Sequence, residues 1–407
     1  MFTRCTAAVL AALFTIAPAL AAKPPVEAFA DLPNIAMVSI SPDGKRVAMI
    51  QGLKGRPVVS VWTLNSNTPP ILLPYEKGII DHVQWANDHR LLIRINLNAN
   101  LWGEGVHPWH RTVSIDPDTR DGVAVFSNMT EDRADNYSAS RVSDLAMNDP
   151  DHIYMPLYAG GGYVMSQYYP PVSTMFRVTL ENGMAKYIEK GNTNTYGWVM
   201  DGNGNLVARF DMTPKPLTDH IFAYTADKSW KEIASTDATN GHGFAVHGLS
   251  QDGKSLVLSV DEGQDGRGVH MSMSLADGKM RELYSHPVYD ATGSFEDPWT
   301  GRVLGAVYTS HFAKLAFFDS NLQEMQRNIE ADFQGLSAFP ISWDLARNKV
   351  VVATDGPMSP PSFYVLDLRP TRYSGSGETM RSCRFPISGR CGSTIMRPAM
   401  VSKSPPI

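Results

Sequence analysis

Apolar and polar residues alternate along this chain in short runs, and each run follows a turn built from Asp, Asn, Gly or Pro. The clearest unit is Ser41-Pro42-Asp43-Gly44-Lys45 followed by Val47-Ala48-Met49-Ile50. Asp43 tolerates the left-handed backbone region and Gly44 prefers it, so the pair predicts a tight hairpin between antiparallel strands. Weaker copies recur at Trp85-Ala86-Asn87-Asp88, Met147-Asn148-Asp149-Pro150, Met200-Asp201-Gly202-Asn203-Gly204, Ser250-Gln251-Asp252-Gly253-Lys254, Glu296-Asp297-Pro298-Trp299-Thr300-Gly301 and Trp343-Asp344-Leu345-Ala346-Arg347-Asn348, each ahead of an apolar run. A second series of alternating segments follows the first. It comprises Val58 to Leu64, Thr112 to Ile115, Phe176 to Leu180, Ile221 to Thr225, Met271 to Leu275, Leu315 to Phe318 and Phe363 to Leu368. Helical periodicity is almost absent.

Two hairpin turns per repeat imply about four short strands per unit, the pattern of a β-propeller blade. The expected fold is all-β, a seven-bladed β-propeller of four-stranded antiparallel blades over residues 34–368. A string of immunoglobulin-like sandwiches is also all-β, but sandwiches would pair the repeats in twos, and an odd count of similar units favours radial closure. Repeats of this kind also override the two or three domains that 407 residues would otherwise suggest.

Charge and cysteine narrow the class. Lys and Arg number 36 against 41 Asp and Glu, a net charge of -5 with no basic stripe, which argues against nucleic acid as a partner. Residues 1–22 combine Arg4, a short apolar core from Ala7 to Ala19 and the Ala19-Leu20-Ala21 cleavage pattern, so they read as a secretory signal peptide. Residues 23–33 form a short N-terminal segment. No other apolar run approaches membrane-spanning length, and the expected location is periplasmic or secreted. Cys5 leaves with the leader, and Cys383 and Cys391 lie in the last stretch, so the body holds neither a thiol nucleophile nor a thiolate metal site.

Candidate chemistry is sparse. The serine elbow Gly-x-Ser-x-Gly does not occur, so the chain as written is expected not to be an enzyme. His107 and His110 lie three apart in a loop without a completing ligand set, and the acidic turns at Asp116 and Asp201 are out of register for calcium, so no metal and no cofactor are expected. Gly160-Gly161-Gly162 has no Lys-Ser/Thr after it and is no phosphate cradle. Trp85, Trp198 and Trp343 precede their turns at similar places and read as blade packing. Strand alternation puts all first turns on one face and the connections between second and third strands on the other, where the long aromatic insertions lie. Recognition is expected there, with Trp102, His107, Trp109, His110, Tyr163, Tyr168 and Tyr169 as the candidate ligand- or domain-facing residues.

Phe29-Ala30-Asp31-Leu32-Pro33 followed by Val38-Ser39-Ile40-Ser41-Pro42-Asp43-Gly44-Lys45, directly behind a leader, resembles exported bacterial members of the prolyl oligopeptidase family of serine peptidases. The resemblance covers residues 29–368. It implies an N-terminal propeller that filters access to a C-terminal α/β-hydrolase domain, with short peptides as substrates. Ser-Pro-Asp-Gly also marks periplasmic TolB-like propellers, which leaves a stand-alone propeller with a protein partner as the alternative. A propeller enzyme holding its own metal or quinone lacks repeated inward ligands. The hydrolase domain is missing from the chain, so no catalytic residue carries over. Residues 369–407 are instead an irregular tail, and the last blade is expected to lack its outermost strand. Shifting the frame after Leu368, with G/C-leaning codons, allows the tail to be re-read as a strand, AVLGL, and then ARDGLEVPAY, which resembles the family's approach to the hydrolase domain. A frameshift and a truncated peptidase are the resulting expectations, and the partners are short peptides or the absent domain.

Overall fold

The computed structural model describes residues 35–369, apart from 76–77, 101–105, 137, 240–242, 261–265 and 358, together with 383–387. Apart from one separate two-stranded hairpin, their strands gather into the seven mainly antiparallel sheets of a seven-bladed β-propeller. Blade one holds β1 (Ile35–Ile40), β2 (Arg46–Leu53), β3 (Arg56–Thr63) and β4 (Ile71–Pro74), each paired with the next. Blade two holds β5 (Ile79–Trp85), β6 (Leu91–Asn100), β7 (Val106–Ile115) and β8 (Gly122–Ala124); helix α1 (Thr130–Asp135) and the short β9 (Ser138–Ala139), parallel to β7, lead out of it. Blade three pairs β10 (His152–Ala159), β13 (Val172–Thr179) and β14 (Ala185–Lys190), with β11 (Gly162–Val164) and β12 (Gln167–Tyr169) as a separate hairpin. Its innermost strand is reduced to one bridge, Asp144 to Tyr154. Blade four runs β15 (Thr195–Met200), β16 (Leu206–Pro214), β17 (Leu217–Tyr224) and β18 (Trp230–Asp237), and blade five β19 (Ala245–Leu249), β20 (Ser255–Val260), β21 (Val269–Ser274) and β22 (Met280–Tyr284). Blade six has β23 (Ala291–Glu296), β24 (Val303–Thr309) and β25 (Ala313–Phe317), then α2 (Ser320–Asp332). Blade seven has β26 (Ser337–Trp343), β27 (Lys349–Gly356), β28 (Ser359–Asp367) and β29 (Cys383–Ile387).

The second strand of each blade explains the unbroken apolar runs. Val47, Ala48, Met49 and Ile50 are all buried, as are Leu256, Val257 and Leu258 and the three valines Val350, Val351 and Val352. A strand sandwiched between two neighbouring blades is covered on both faces, so alternation gives way to continuous apolar residues. Outer strands such as β14 and β18 meet solvent and are correspondingly polar.

All seven first turns are present, and the first is a looser loop than the tight hairpin that Asp43-Gly44 suggests. Ser41 N bonds to Arg46 O at 2.8 Å and Gly44 N to Ser41 O at 2.9 Å, so Pro42 to Lys45 form a longer loop in which only Gly44 (φ 68°) is left-handed. Asp43 Oδ1 instead accepts from Ser41 Oγ at 2.7 Å and Lys45 N at 2.9 Å, an Asx-type brace that Asp252 repeats for Ser250 and Lys254. The aspartate is chosen for its acceptor oxygen.

Two expectations are corrected. Four strands per unit imply a turn and a fourth strand after Leu315 to Phe318; Asp319 there is instead the N-cap of α2, accepting from Asn321 N and Leu322 N. The helix buries Leu322, Gln326 and Ile329 against the blade, and Gln326 Nε2 donates to Ala338 O at 2.9 Å. The last blade, expected to lack its outermost strand, has one: β29 pairs antiparallel with β28 from Phe363–Ile387 to Asp367–Cys383. An edge strand needs little more than backbone pairing, and Pro386 is tolerated there because an edge can leave one N–H position unused.

The ring closes between blades one and seven without sharing a sheet. Ile35, Val38, Ile40, Val47 and Met49 pack with Val351, Phe363 and Val365. Ile40 N donates to Ser342 Oγ, Leu345 N to Pro42 O and Lys349 Nζ to Gly44 O. A Cβ at Gly44 would lie 2.7 Å from Asp344 Oδ2, so the approach of the two turns requires glycine there.

Candidate functional site

The first turns of neighbouring blades are linked to one another around one face of the ring. Asp43 N donates to Asp88 Oδ1, Asn87 Nδ2 to Pro150 O, and Asp144 Oδ2 accepts from Gly202 N and Gly204 N. Arg302 donates to Asp201 O and Gln251 O, and Arg347 Nη2 lies 2.7 Å from Asp297 Oδ2. The blade-six turn also reaches across the axis: Gln84 of blade two donates to Pro298 O at 3.0 Å, and Thr300 lies against Gly202 of blade four. Trp299 is buried and anchors that turn by donating from Nε1 to Trp343 O at 2.7 Å.

Beneath this turn lies a cavity of about 590 Å³ among the innermost strands. Its apolar wall comes from Met37, Val83, Leu92, Leu145 and Ile341, and its polar groups include His82, Arg94, Arg141 and Glu296. Arg94 Nε is held by Asp81 at 2.7 Å. His82 is pushed below its usual range by burial and by the nearby Arg94 cation, so its imidazole is neutral near pH 7. Glu296 is exposed to the cavity yet surrounded by protein; desolvation pushes its carboxyl up, with Arg141 pulling the other way. Asp144 and Asp297, also on the wall, are already occupied by backbone N–H groups and, for Asp297, by Arg347. Among the described residues no group of three or more metal-ligating side chains is assembled.

The residues nominated from sequence lie elsewhere. Trp102 is outside the described residues. His107, Trp109 and His110 are on β7, where the pairs Ala99–His107 and Leu97–Trp109 extend the hairpin with β6. Trp109 is a structural residue: its Nε1 donates to Asn136 O at 3.0 Å and the Arg111 guanidinium sits 3.8 Å over its ring. His110 Nδ1 lies 3.4 Å from the Asp81 carboxylate that holds Arg94. Asn136 then ties this hairpin to blade three, exchanging hydrogen bonds with Tyr158 N and O. Tyr163 and Tyr168 pair across β11–β12 with ring centroids 5.3 Å apart, and Tyr169 follows them. Tyr163 is 76% exposed, Tyr168 55% and Met165 at the tip 98%. None of these described residues lines the central cavity.

The tyrosines therefore hold nothing in the propeller together. Replacing Tyr163 and Tyr168 together by serine is expected to change stability by less than about 0.5 kcal/mol in urea titrations; a loss above about 1 kcal/mol would mean that the hairpin is packed into the fold. Trp85, Trp198 and Trp343 pack between blades as expected, with Trp85 Nε1 donating to Ser39 O and Trp198 Nε1 to Ser173 Oγ. Sequence reading missed Arg141 and Glu296. Glu296 stands at the head of a recognised turn, but nothing local signals that it faces a cavity.

No protein-family model matches the sequence, and none of the curated proteins does. Solved structures do match in fold. A structure from a study of two prolyl endopeptidases and the role of inter-domain dynamics in their catalysis and specificity superposes with a TM-score of 0.53 at 10% identity, over 87% of this chain and 49% of that one. The acylaminoacyl peptidase of Pyrococcus horikoshii gives 0.40 at 13% identity over 82% and 51%, and TolB from Acinetobacter baumannii 0.36 at 18% over 61% and 53%. The chain spans about half the length of these structures. In fold it is a propeller like the matched half of the prolyl endopeptidase structure. Among the described residues no helix is long and apolar enough to cross a membrane.

Proposed function

We propose that this chain is the non-catalytic, substrate-gating propeller of an exported prolyl oligopeptidase-like serine peptidase that acts on short peptides. The observation that carries the reading is the cavity: about 590 Å³ behind a linked ring of turns holds a few residues of extended peptide and excludes a folded domain. The fold likeness and the leader-like first residues are consistent with it. On this reading the catalytic serine lies in a separate α/β-hydrolase domain, and the chain alone cleaves nothing.

Sequencing the coding DNA from the codon of Leu368 through several hundred bases past the codon of Ile407 tests this directly. A second frame carrying a Gly-x-Ser-x-Gly elbow with downstream Asp and His is the expected result, accompanied by a blank assay of the chain on short peptide substrates. If no hydrolase follows in any frame, the reading fails. The exposed β11–β12 hairpin, with Tyr163, Met165 and Tyr168 turned to solvent, then favours a stand-alone propeller that binds a protein partner.

A further inference from the structure

Two charges of opposite sign face the central cavity, and among the described residues neither has an ion-pair partner. Arg141 precedes the single-bridge strand of blade three, and Glu296 ends β23 of blade six. In a ring of seven, those blades stand three apart, yet the guanidinium and the carboxylate line the same cavity. They are close enough for Arg141 to pull the Glu296 carboxyl down, but no ion pair joins them. Glu296 has only a long hydrogen bond, 3.5 Å, from Ser294 Oγ.

The other charged groups on the wall are spoken for. Arg94 is bound to Asp81 at 2.7 Å; Asp297 takes Arg347 and the N–H of Trp299; Asp144 takes three backbone N–H groups. His82, desolvated and beside Arg94, is neutral. The cavity therefore presents one available cation and one available acid among the described residues, and Met37, Val83, Leu92 and Leu145 line it as well. Both are solvated in the cavity, so a ligand that supplies the two counter-charges can take the place of that water.

We propose that the central cavity binds a zwitterion, a dipeptide or similarly short peptide with free termini, its carboxylate on Arg141, its ammonium on Glu296 and its side chains on the apolar wall. A guanidinium matches a carboxylate as a two-pronged donor, and a carboxylate accepts from an ammonium. The cavity has the volume typical of a small-molecule site. The site belongs to this chain alone, so it does not rest on the presence of a hydrolase domain.

The test is calorimetric titration of the chain with alanyl-leucine, N-acetyl-alanyl-leucine and alanyl-leucine amide at neutral pH. The free dipeptide is expected to bind, and each blocked form to bind at least about tenfold more weakly, because one charged contact is lost in each. Arg141→Met should abolish the preference for a free C-terminus and Glu296→Gln the preference for a free N-terminus. Both side chains are exposed into the cavity, so urea midpoints of the two variants should match the parent and show that the ring is intact. Equal binding of free and blocked dipeptides, no binding of alanyl-leucine up to millimolar concentration, or variants that discriminate like the parent would each overturn the proposal.

Discussion

Replacing Asp144 with alanine lowers the stability of the ring by about 3 to 5 kcal/mol, read as a fall in the urea midpoint with little change in slope. Asp144 is 4% exposed and accepts from Ala146 N at 2.6 Å, Gly202 N at 2.9 Å and Gly204 N at 3.0 Å. It stands where blade three has no full inner strand, so its carboxylate replaces part of a ladder and joins blade three to the turn of blade four. Burial pushes its carboxyl up more than the three donors pull it down, so holding the ion there is itself costly. The loss on deletion arises from the donors left behind: each unsatisfied buried N–H costs about 1 to 3 kcal/mol. Asp144→Asn keeps one acceptor oxygen but turns an amide NH2 toward either Ala146 N or the two glycine N–H groups, and should fall between parent and alanine. A midpoint for Asp144→Ala within about 0.5 kcal/mol of the parent would mean that water replaces the carboxylate without loss.

The sequence made the ring legible because a propeller repeats its turn chemistry. Asp43 and Asp252 brace their loops with the same acceptor oxygen, and glycine or asparagine follows wherever the chain must reverse. Two elements escaped for different reasons. Leu322, Met325, Gln326, Ile329 and Phe333 do have helical spacing, but Asp319-Ser320-Asn321 serves equally as a cap and as a turn, and six neighbouring repeats pointed to the turn. β29 escaped because its pairing with β28 is made across the chain from 370 to 382, and an outer strand carries little pattern of its own.

The site was far less legible than the fold. Aromatic loops drew attention to Trp109, which the structure uses as a ring for Arg111 to stack on. Exposure at Tyr163 and Tyr168 was foreseeable from a Tyr-rich insertion, because a hairpin outside the blade has no core to enter. Arg141 and Glu296 come to one cavity only because closing the ring brings blades three and six around it, and no spacing along the chain encodes that. The same holds for Gln84 and Pro298, whose hydrogen bond crosses the axis.

Acidification from pH 7.5 to pH 5 should destabilise the propeller by about 2 kcal/mol through His270 alone. His270 is fully buried, its ring stacked on His247 at 5.0 Å and 22°, with the edge of Phe318 beyond and the Gly293 backbone beside it. Desolvation and the adjacent His247 lower it from 6.5 to about 4. The folded protein therefore keeps this imidazole neutral while the unfolded chain takes up a proton below pH 6.5, so the unfolded state binds more protons and stability falls as pH falls. The contribution is intact above pH 6.5 and is lost progressively down to about pH 4. His247, lowered by burial and bonded to Ser259 Oγ at 3.1 Å, adds in the same direction. The measurement is urea unfolding at intervals between pH 7.5 and 5, above the range where most carboxylates titrate, on the parent and on His270→Phe. Phenylalanine keeps the stacked ring and cannot be protonated, so its curve should be flatter by about 2 kcal/mol across the window. Parallel curves for the two proteins would place the titrating group elsewhere and remove His270 as the acid-sensitive point of blade five.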